Sequence, residues 1–339
     1  MKKHKPLVSI ISGYYNRVNY VEESIQSLCN QTYDNIEIII FDDCSTDGTY
    51  EKLLEFENKD SRVKILKHEI NKGFVRGLIE AINTSKGEFI AIHGSGDFSY
   101  PTRIEKQVEV LIKNYNIGLI GCIVQNSMVV NGVENISLFH YKIHGNALSV
   151  LKEKNIFTHG EVMFRRSIYD IVGGYREYFY FAQDYDLWTR MAYYCDFFSI
   201  DEILYKRFLR SDGATVRPEK RLVQAINTEI IQQNINFIEK NEKDLIDLYG
   251  DKAFVKINRI SSIGQSNLYS RINEVFHTYH KLDEKSLLVL RKLILYSNIK
   301  LLGVLLYVFY HIIPYRFSRK IVNRRKFKRM INFCYNELF

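Results

Sequence analysis

Three short acidic stretches mark where this chain could do chemistry. Asp42 and Asp43 end the apolar run IEIIIFDD, just before the turn CSTDGT. Paired acids at a strand end repel a phosphate, but they accept hydrogen bonds from the hydroxyls of a ribose or the imide N–H of a base. Asp97, in AIHGSGDFSYP, follows a second apolar run at a place where clustered acids often hold a divalent cation. Gly94 and Gly96 occupy two positions that could have carried such acids. Asp184, in AQDYDLW, precedes a helical pattern. It could cap that helix or serve as a general base, which must reach the proton it removes, and the segment alone leaves both open. Ser45 and Asp47 read as caps of the helix after the CSTDGT turn.

These residues need a frame. LVSIISG (7–13), IEIIIFD (36–42), RVKILKH (62–68) and EFIAIH (88–93) read as buried strands. Helical patterns stand between them at 21–31, 50–58 and 74–84. Continuous apolar strands alternating with amphipathic helices predict a mostly parallel sheet covered on both faces. Ligands of such sheets sit at the carboxyl ends of the strands, the edge that carries Tyr14, Tyr15, Asn16, Asp42, Asp43 and Asp97. No GxGxxG or GxxxxGK[ST] occurs, which disfavours a dinucleotide fold and a P-loop. Beyond Pro101 come the helix TRIEKQVEVLIKN, the apolar stretch IGLIGCIVQ and the helix DLWTRMAYY. From about residue 217 the pattern turns helical, in QAINTEIIQQNINFIEK and SLLVLRKLILYSNIK.

The 339 residues suffice for one large α/β domain with an appendage. Five scattered cysteines without a CxxC pair argue against zinc and disulfide frameworks, and point to a reducing compartment. The N-terminal MKKHKPLVSII lacks the apolar region of a signal peptide. Net charge is +8, but residues 285–339 hold twelve Lys or Arg against one acid, so a nearly neutral body carries a basic tail. Within it the 13-residue run LLGVLLYVFYHII (301–313) is too short for an ordinary membrane span. VNRRKFKRMINF interleaves basic and aromatic residues, as an anionic membrane surface favours. Nothing in the body resembles a nucleic-acid module.

VSIISGYYNRVNYVEESIQSLCNQTYDNIEIIIFDDCSTDGT, NKGFVRGLIEAINTSKGEFIAIHGSGD and HGEVMFRRSIYDIVGGYREYFYFAQDYDLWTRMA resemble, in that order, the family 2 inverting glycosyltransferases of GT-A fold. The likeness covers about residues 7–212. It implies that Tyr15 contacts the nucleotide base, that Asp43, beside Asp42, bonds base or ribose, and that Asp184 deprotonates the acceptor hydroxyl. Gln183 stands where the family often has an acid. The family's acidic run, such as DSDD, is reduced here to Asp97, which the resemblance makes the side-chain ligand of a Mg²⁺ or Mn²⁺ ion. Arg210 stands where many relatives place a histidine near the donor diphosphate. With Arg76 and Arg17 it is a candidate to share the charge compensation.

The expected architecture is α/β of GT-A type. A glycosyltransferase domain covers 1–215, with a nucleotide-binding half (about 1–115) and an acceptor half (about 116–215), and a helical, basic region covers 216–339. The expected activity is inverting transfer of a sugar from a nucleotide-sugar donor to a hydroxyl, in cell-surface polysaccharide or glycolipid synthesis. The acceptor is a saccharide or lipid-linked saccharide, and the protein is cytoplasmic, peripheral at the inner face of the membrane. A rival expectation is a catalytically silent nucleotide-sugar-binding or scaffolding member. The thinned acidic run favours that rival; the retained Asp43 and Asp184 oppose it.

Overall fold

The computed structural model describes residues 5–210, 218–241 and 243–250. The chain divides into two units, Met1–Arg217 and Pro218–Phe339.

In the first unit strands and helices alternate from the start. They are β1 (Val8–Tyr14), α1 (Val21–Cys29), β2 (Ile36–Asp42), α2 (Thr49–Lys59), β3 (Val63–Lys67), α3 (Phe74–Thr84), β4 (Phe89–His93), β5 (Phe98–Ser99) and α4 (Arg103–Lys113). There follow β6 (Ile117–Val130), β7 (Val133–Phe139), β8 (His144–Gly145), α5 (Leu148–Leu151), β9 (Met163–Arg165), α6 (Arg166–Ile171), α7 (Gln183–Met191) and β10 (Asp196–Phe208). Single 3-10 turns form at Val18–Tyr20 and His159–Glu161.

Every residue of β1 and β4, and all of β2 except Glu37, is buried. A strand covered on both faces needs apolar side chains at successive positions, which is why these segments read as unbroken apolar runs. The helices meet them along one stripe each: Val21, Ile25 and Leu28 of α1 and Ile104, Val108 and Leu111 of α4 are buried in the same core.

The strands lie in the order β3-β2-β1-β4-β9-β6-β10-β5, with β7 on β6 and β8 on β10. β3, β2, β1 and β4 run parallel. The chain leaves β1 towards β2 on one side, while β4 lies on the other, so the loops after β1 and β4 diverge and open a crevice at their carboxyl ends. The second half of the sheet is mixed. β9 is antiparallel to both β4 and β6, whereas β10 runs parallel to β6. IGLIGCIVQ is the inner part of β6. Its outer part continues through an Asn131–Gly132 turn, with φ of +51° and +80°, into the exposed strand β7. Both central residues lie in the left-handed region, as a two-residue hairpin turn requires.

In the second unit α8 (Pro218–Asn241) begins with proline, whose missing N–H costs nothing at a first helical position. α9 (Leu245–Tyr249) starts with a reciprocal cap. Asp244 Oδ1 accepts from the Asp247 amide at 2.8 Å, and Asp247 Oδ2 accepts from the Asp244 amide at 3.2 Å. Asn234 Oδ1 accepts the Leu245 amide and ties α9 to α8. The helix expected over 286–300, the apolar run 301–313 and the basic cluster 322–333 lie outside the described residues.

Candidate active site

The loops after β1 and β2 clasp each other. Tyr14 ends β1 with its ring 1% exposed and its hydroxyl donating to Ser24 Oγ at 3.0 Å. Strand alternation turns the next ring the other way, and Tyr15 is 51% exposed. Asn16, at φ +52°, holds the turn. Its Oδ1 accepts the Thr46 amide and its own amide donates to Ser45 Oγ, each at 2.9 Å. Asp47 Oδ1 accepts the Thr49 amide at 3.0 Å, at the entrance of α2, and its Oδ2 accepts the Val18 amide at 3.2 Å.

Asp42 and Asp43 are both buried but differ in what holds them. Asp43 Oδ1 meets His68 Nδ1 at 2.9 Å and the Lys72 amide at 2.8 Å, while Oδ2 accepts the Gly73 amide at 2.9 Å. The His68 ring is stacked on Phe41. A carboxylate oxygen has two lone pairs, so Asp43 retains one acceptor site on Oδ2 while organising the loop into α3. Asp42 Oδ2 accepts the Ser45 amide at 3.0 Å, and its buried Oδ1 has no partner among the described residues. A buried acceptor left open next to an exposed aromatic suits a ligand bearing hydroxyl or N–H groups.

The turn Gly94–Asp97 packs against β10. Asp97 Oδ2 accepts from the Tyr205 hydroxyl at 2.8 Å, Oδ1 accepts the Phe208 amide at 3.0 Å, and the Tyr205 hydroxyl in turn accepts the Gly94 amide at 2.9 Å. Burial pushes Asp97 up to about 6, against the opposing pull of the Phe208 amide, Tyr205 and Arg210. Arg210 lies over the Tyr20 ring at 4.1 Å, donates to the Gly96 carbonyl at 2.7 Å and stands 4.0 Å from Asp97 Oδ1.

The glycines are there because acids do not fit. A Cβ on Gly94 would lie 2.3 Å from Asp97 Oδ2. One on Gly96, at φ +78°, would lie 2.6 Å from Tyr20 Cβ. Asp97 is the single carboxylate this turn offers the cation expected there. Both carboxylate oxygens already accept protein hydrogen bonds and a guanidinium stands alongside. Among the described residues no three His, Cys, Asp or Glu side chains converge. Asp97 also ties the turn to β10.

On the acceptor side, α7 sorts the two acids of QDYD onto opposite faces. Asp186 is 1% exposed and paired with Arg176 and Arg190. Burial would raise its pKa, but the two guanidinium groups hold it below the usual carboxylate range. Asp184 is half-buried in the first turn, and its Oδ2 accepts Asn155 Nδ2 at 3.0 Å. Burial pushes Asp184 up to about 6, opposed by the Tyr185 amide, Asn155 and the charge of Arg207. It is ionised at neutral pH yet more basic than an ordinary aspartate, as a general base requires.

Arg76 stands apart from this group, exposed on α3 and paired with Glu177 at 2.7 Å. An exposed pair of this kind contributes about 0–1 kcal/mol. The residues that the sequence did not single out are Tyr205, Asn155 and Arg207. Only the alternation of Tyr205 and Arg207 on one face of a strand could have drawn attention to two of them.

A family model described as glycosyl transferase family 2 matches residues 9–173. An uncharacterised glycosyltransferase of Haemophilus influenzae is 26% identical across 96% of this chain and 98% of its own. An O-antigen biosynthesis glycosyltransferase of Escherichia coli is 31% identical across 56% of this chain and 73% of its own. Among solved structures, a mannosyltransferase of Pyrobaculum calidifontis in complex with GDP-mannose and Mn²⁺ superposes with a TM-score of 0.55. That match covers 85% of this chain and 79% of the other at 15% identity, a likeness of fold. The mixed, mostly parallel sheet and its flanking helices are the GT-A arrangement that the sequence led us to expect. On the family model, these relatives and this fold together, the chain belongs to glycosyltransferase family 2.

Proposed function

We propose that the protein transfers a sugar from a nucleotide-sugar donor to a hydroxyl acceptor with inversion, and that Asp184 is the base. The observation that carries this is the contrast within α7. Asp186 is locked inward by two arginines, while Asp184 is half-buried, held by Asn155 and raised in pKa by burial. In a single displacement the acceptor oxygen attacks the anomeric carbon as its proton passes to the Asp184 carboxylate. The bond to the diphosphate oxygen breaks, and the nucleoside diphosphate leaves with the electron pair.

The donor's base and ribose would rest against Tyr15, Asp42 and Asp43. Exposure of the Tyr15 ring and the unpartnered Asp42 Oδ1 support this placement. Arg210 would face the diphosphate, and Arg76, paired outward with Glu177, serves at most the rim. Residues 1–215 would make up the transfer domain, followed by the basic stretch that ends the chain. The relative named for O-antigen biosynthesis supports a role in cell-surface polysaccharide synthesis. Among the described residues no helix is long and apolar enough to cross a membrane. The basic composition of 285–339 supports peripheral association with an anionic inner membrane surface, where a lipid-linked saccharide would be presented.

The experiment is a screen of nucleotide sugars for transfer and hydrolysis, with and without EDTA, followed by NMR assignment of the anomeric configuration of the product. Inverted stereochemistry that disappears with Asp184→Asn is expected. A product of retained configuration overturns the mechanism, and EDTA decides whether Mg²⁺ or Mn²⁺ is required.

A further inference from the structure

The turn expected to hold a cation carries one buried carboxylate, bonded to Tyr205 and the Phe208 amide, and no room for another. A diphosphate leaving group still needs positive charge where its own charge develops. β10 carries an arginine that can supply it beside this turn.

Arg207 follows Tyr205 by two residues and so lies on the same face of β10, the face against which the Gly94–Asp97 turn packs. Its neighbour in register on β6 is Asn126, which is 8% exposed and whose Oδ1 accepts Arg207 Nε at 2.8 Å. That bond fixes the plane of the guanidinium. Among the described residues it is the only hydrogen bond Arg207 makes, and the two terminal amino groups remain available. Other arginines of this unit are spent differently. Arg103, Arg165 and Arg166 donate to backbone carbonyls, and Arg176 and Arg190 clamp Asp186.

The charge of Arg207 reaches acids on three separate elements: Asp97 on the donor turn, Glu161 in the 3-10 turn, and Asp184 on α7, each of which it favours in the ionised form. In an in-line displacement the base and the leaving group stand on opposite sides of the anomeric carbon. Arg207 stands on β10 between Tyr205 and Phe208, both of which bond Asp97, and so leaves the strand beside the donor turn.

We propose that Arg207, oriented by Asn126 and supported by Arg210, binds the diphosphate of the donor and meets the negative charge that develops on the leaving nucleoside diphosphate. This rests on the nucleotide-sugar reading above. The guanidinium presents parallel donors to phosphate oxygens.

The test is calorimetric titration of wild type, Arg207→Gln and Arg207→Lys with UDP, GDP, dTDP and CDP and with the corresponding nucleosides, in EDTA and in Mn²⁺, with melting curves for each variant. In EDTA, wild type should bind one diphosphate. Arg207→Gln should weaken that diphosphate by about tenfold to a hundredfold, the loss of one or two charged hydrogen bonds. The nucleoside should be held within about twofold, since it carries no charge for the arginine to meet. Arg207→Lys, which keeps charge and bulk but loses the fork, should fall between, and it carries the test if the glutamine variant melts early.

Equal weakening of nucleoside and diphosphate by both variants would make Arg207 structural and overturn the proposal. So would diphosphate binding that is lost in EDTA and restored by Mn²⁺ regardless of residue 207. In both cases the transfer reading stands. If wild type binds no diphosphate with or without Mn²⁺, that reading fails and takes this proposal with it.

Discussion

Gly96→Asp is the substitution the sequence invites, because it would place a second carboxylate one residue before Asp97. The structure predicts that it damages the turn instead. Gly96 sits at φ +78°, and a Cβ there would lie 2.6 Å from Tyr20 Cβ and 3.1 Å from an Arg210 amino group. Tyr20 Cβ is anchored to the backbone and has little room to give. A left-handed backbone costs an L-residue about 1–2 kcal/mol, and overpacking adds about 1–3 kcal/mol. The sum is about 2–5 kcal/mol. At about 2–4 °C per kcal/mol for a unit of this size, the melting transition should fall by roughly 4–20 °C. Gly96→Ala carries the same backbone and steric cost without the charge, and should fall by a similar amount. Gly48→Ala isolates the backbone cost. Its φ is +91° and the nearest atom to its Cβ is Val18 Cγ2 at 3.8 Å, an ordinary contact. It should lose only about 1–2 kcal/mol. Calorimetric melts of the three variants, with and without Mn²⁺, measure these shifts. A Gly96→Asp protein that melts with wild type and gains Mn²⁺-dependent stability would refute the argument.

Asp184→Asn should lower transfer by about 10²- to 10⁴-fold, with donor affinity by calorimetry held within a few-fold. The wild-type rate should be full above pH 7 and fall as pH drops through about 6, because the base is lost on protonation. Asn155→Ala removes a bond that favours the ionised form, so the acid limb of the rate profile should move to higher pH. Asp43→Ala should weaken donor binding and lower the melting temperature together, since it strands the Lys72 and Gly73 amides and His68 at a cost of about 1–3 kcal/mol. Loss of affinity with an unchanged melt would mean the loop is held by something else. Removing residues 296–339 should release the protein from anionic liposomes, and binding by the full chain should fall with added salt; salt-insensitive binding would rule out the basic tail as the anchor.

Much of this protein was legible along the chain. The unbroken apolar runs of β1, β2 and β4 can lie only in a sheet covered on both faces, and the helices between them force parallel pairing. That places Tyr15, Asp42, Asp43 and Asp97 along one edge before any coordinate is known. The amphipathic stripes of α1 and α4 were equally plain, because burial on one face imposes a local period. What the sequence could not decide was which polar groups spend their valences on the protein. Asp184 and Asp186 are two residues apart and chemically identical. Only Arg176, folded back from ten residues upstream, together with Arg190, makes one of them a strut and leaves the other poised. The partners of Asp97, Tyr205 and Phe208, were hidden because they lie more than a hundred residues away on β10. Arg207 drew no notice for the same reason, since its meaning lies in Asn126 beside it and in acids from three other elements. Local periodicity is a property of the chain, whereas the pairing of buried charges is set by non-local contacts that exist only once the sheet has closed.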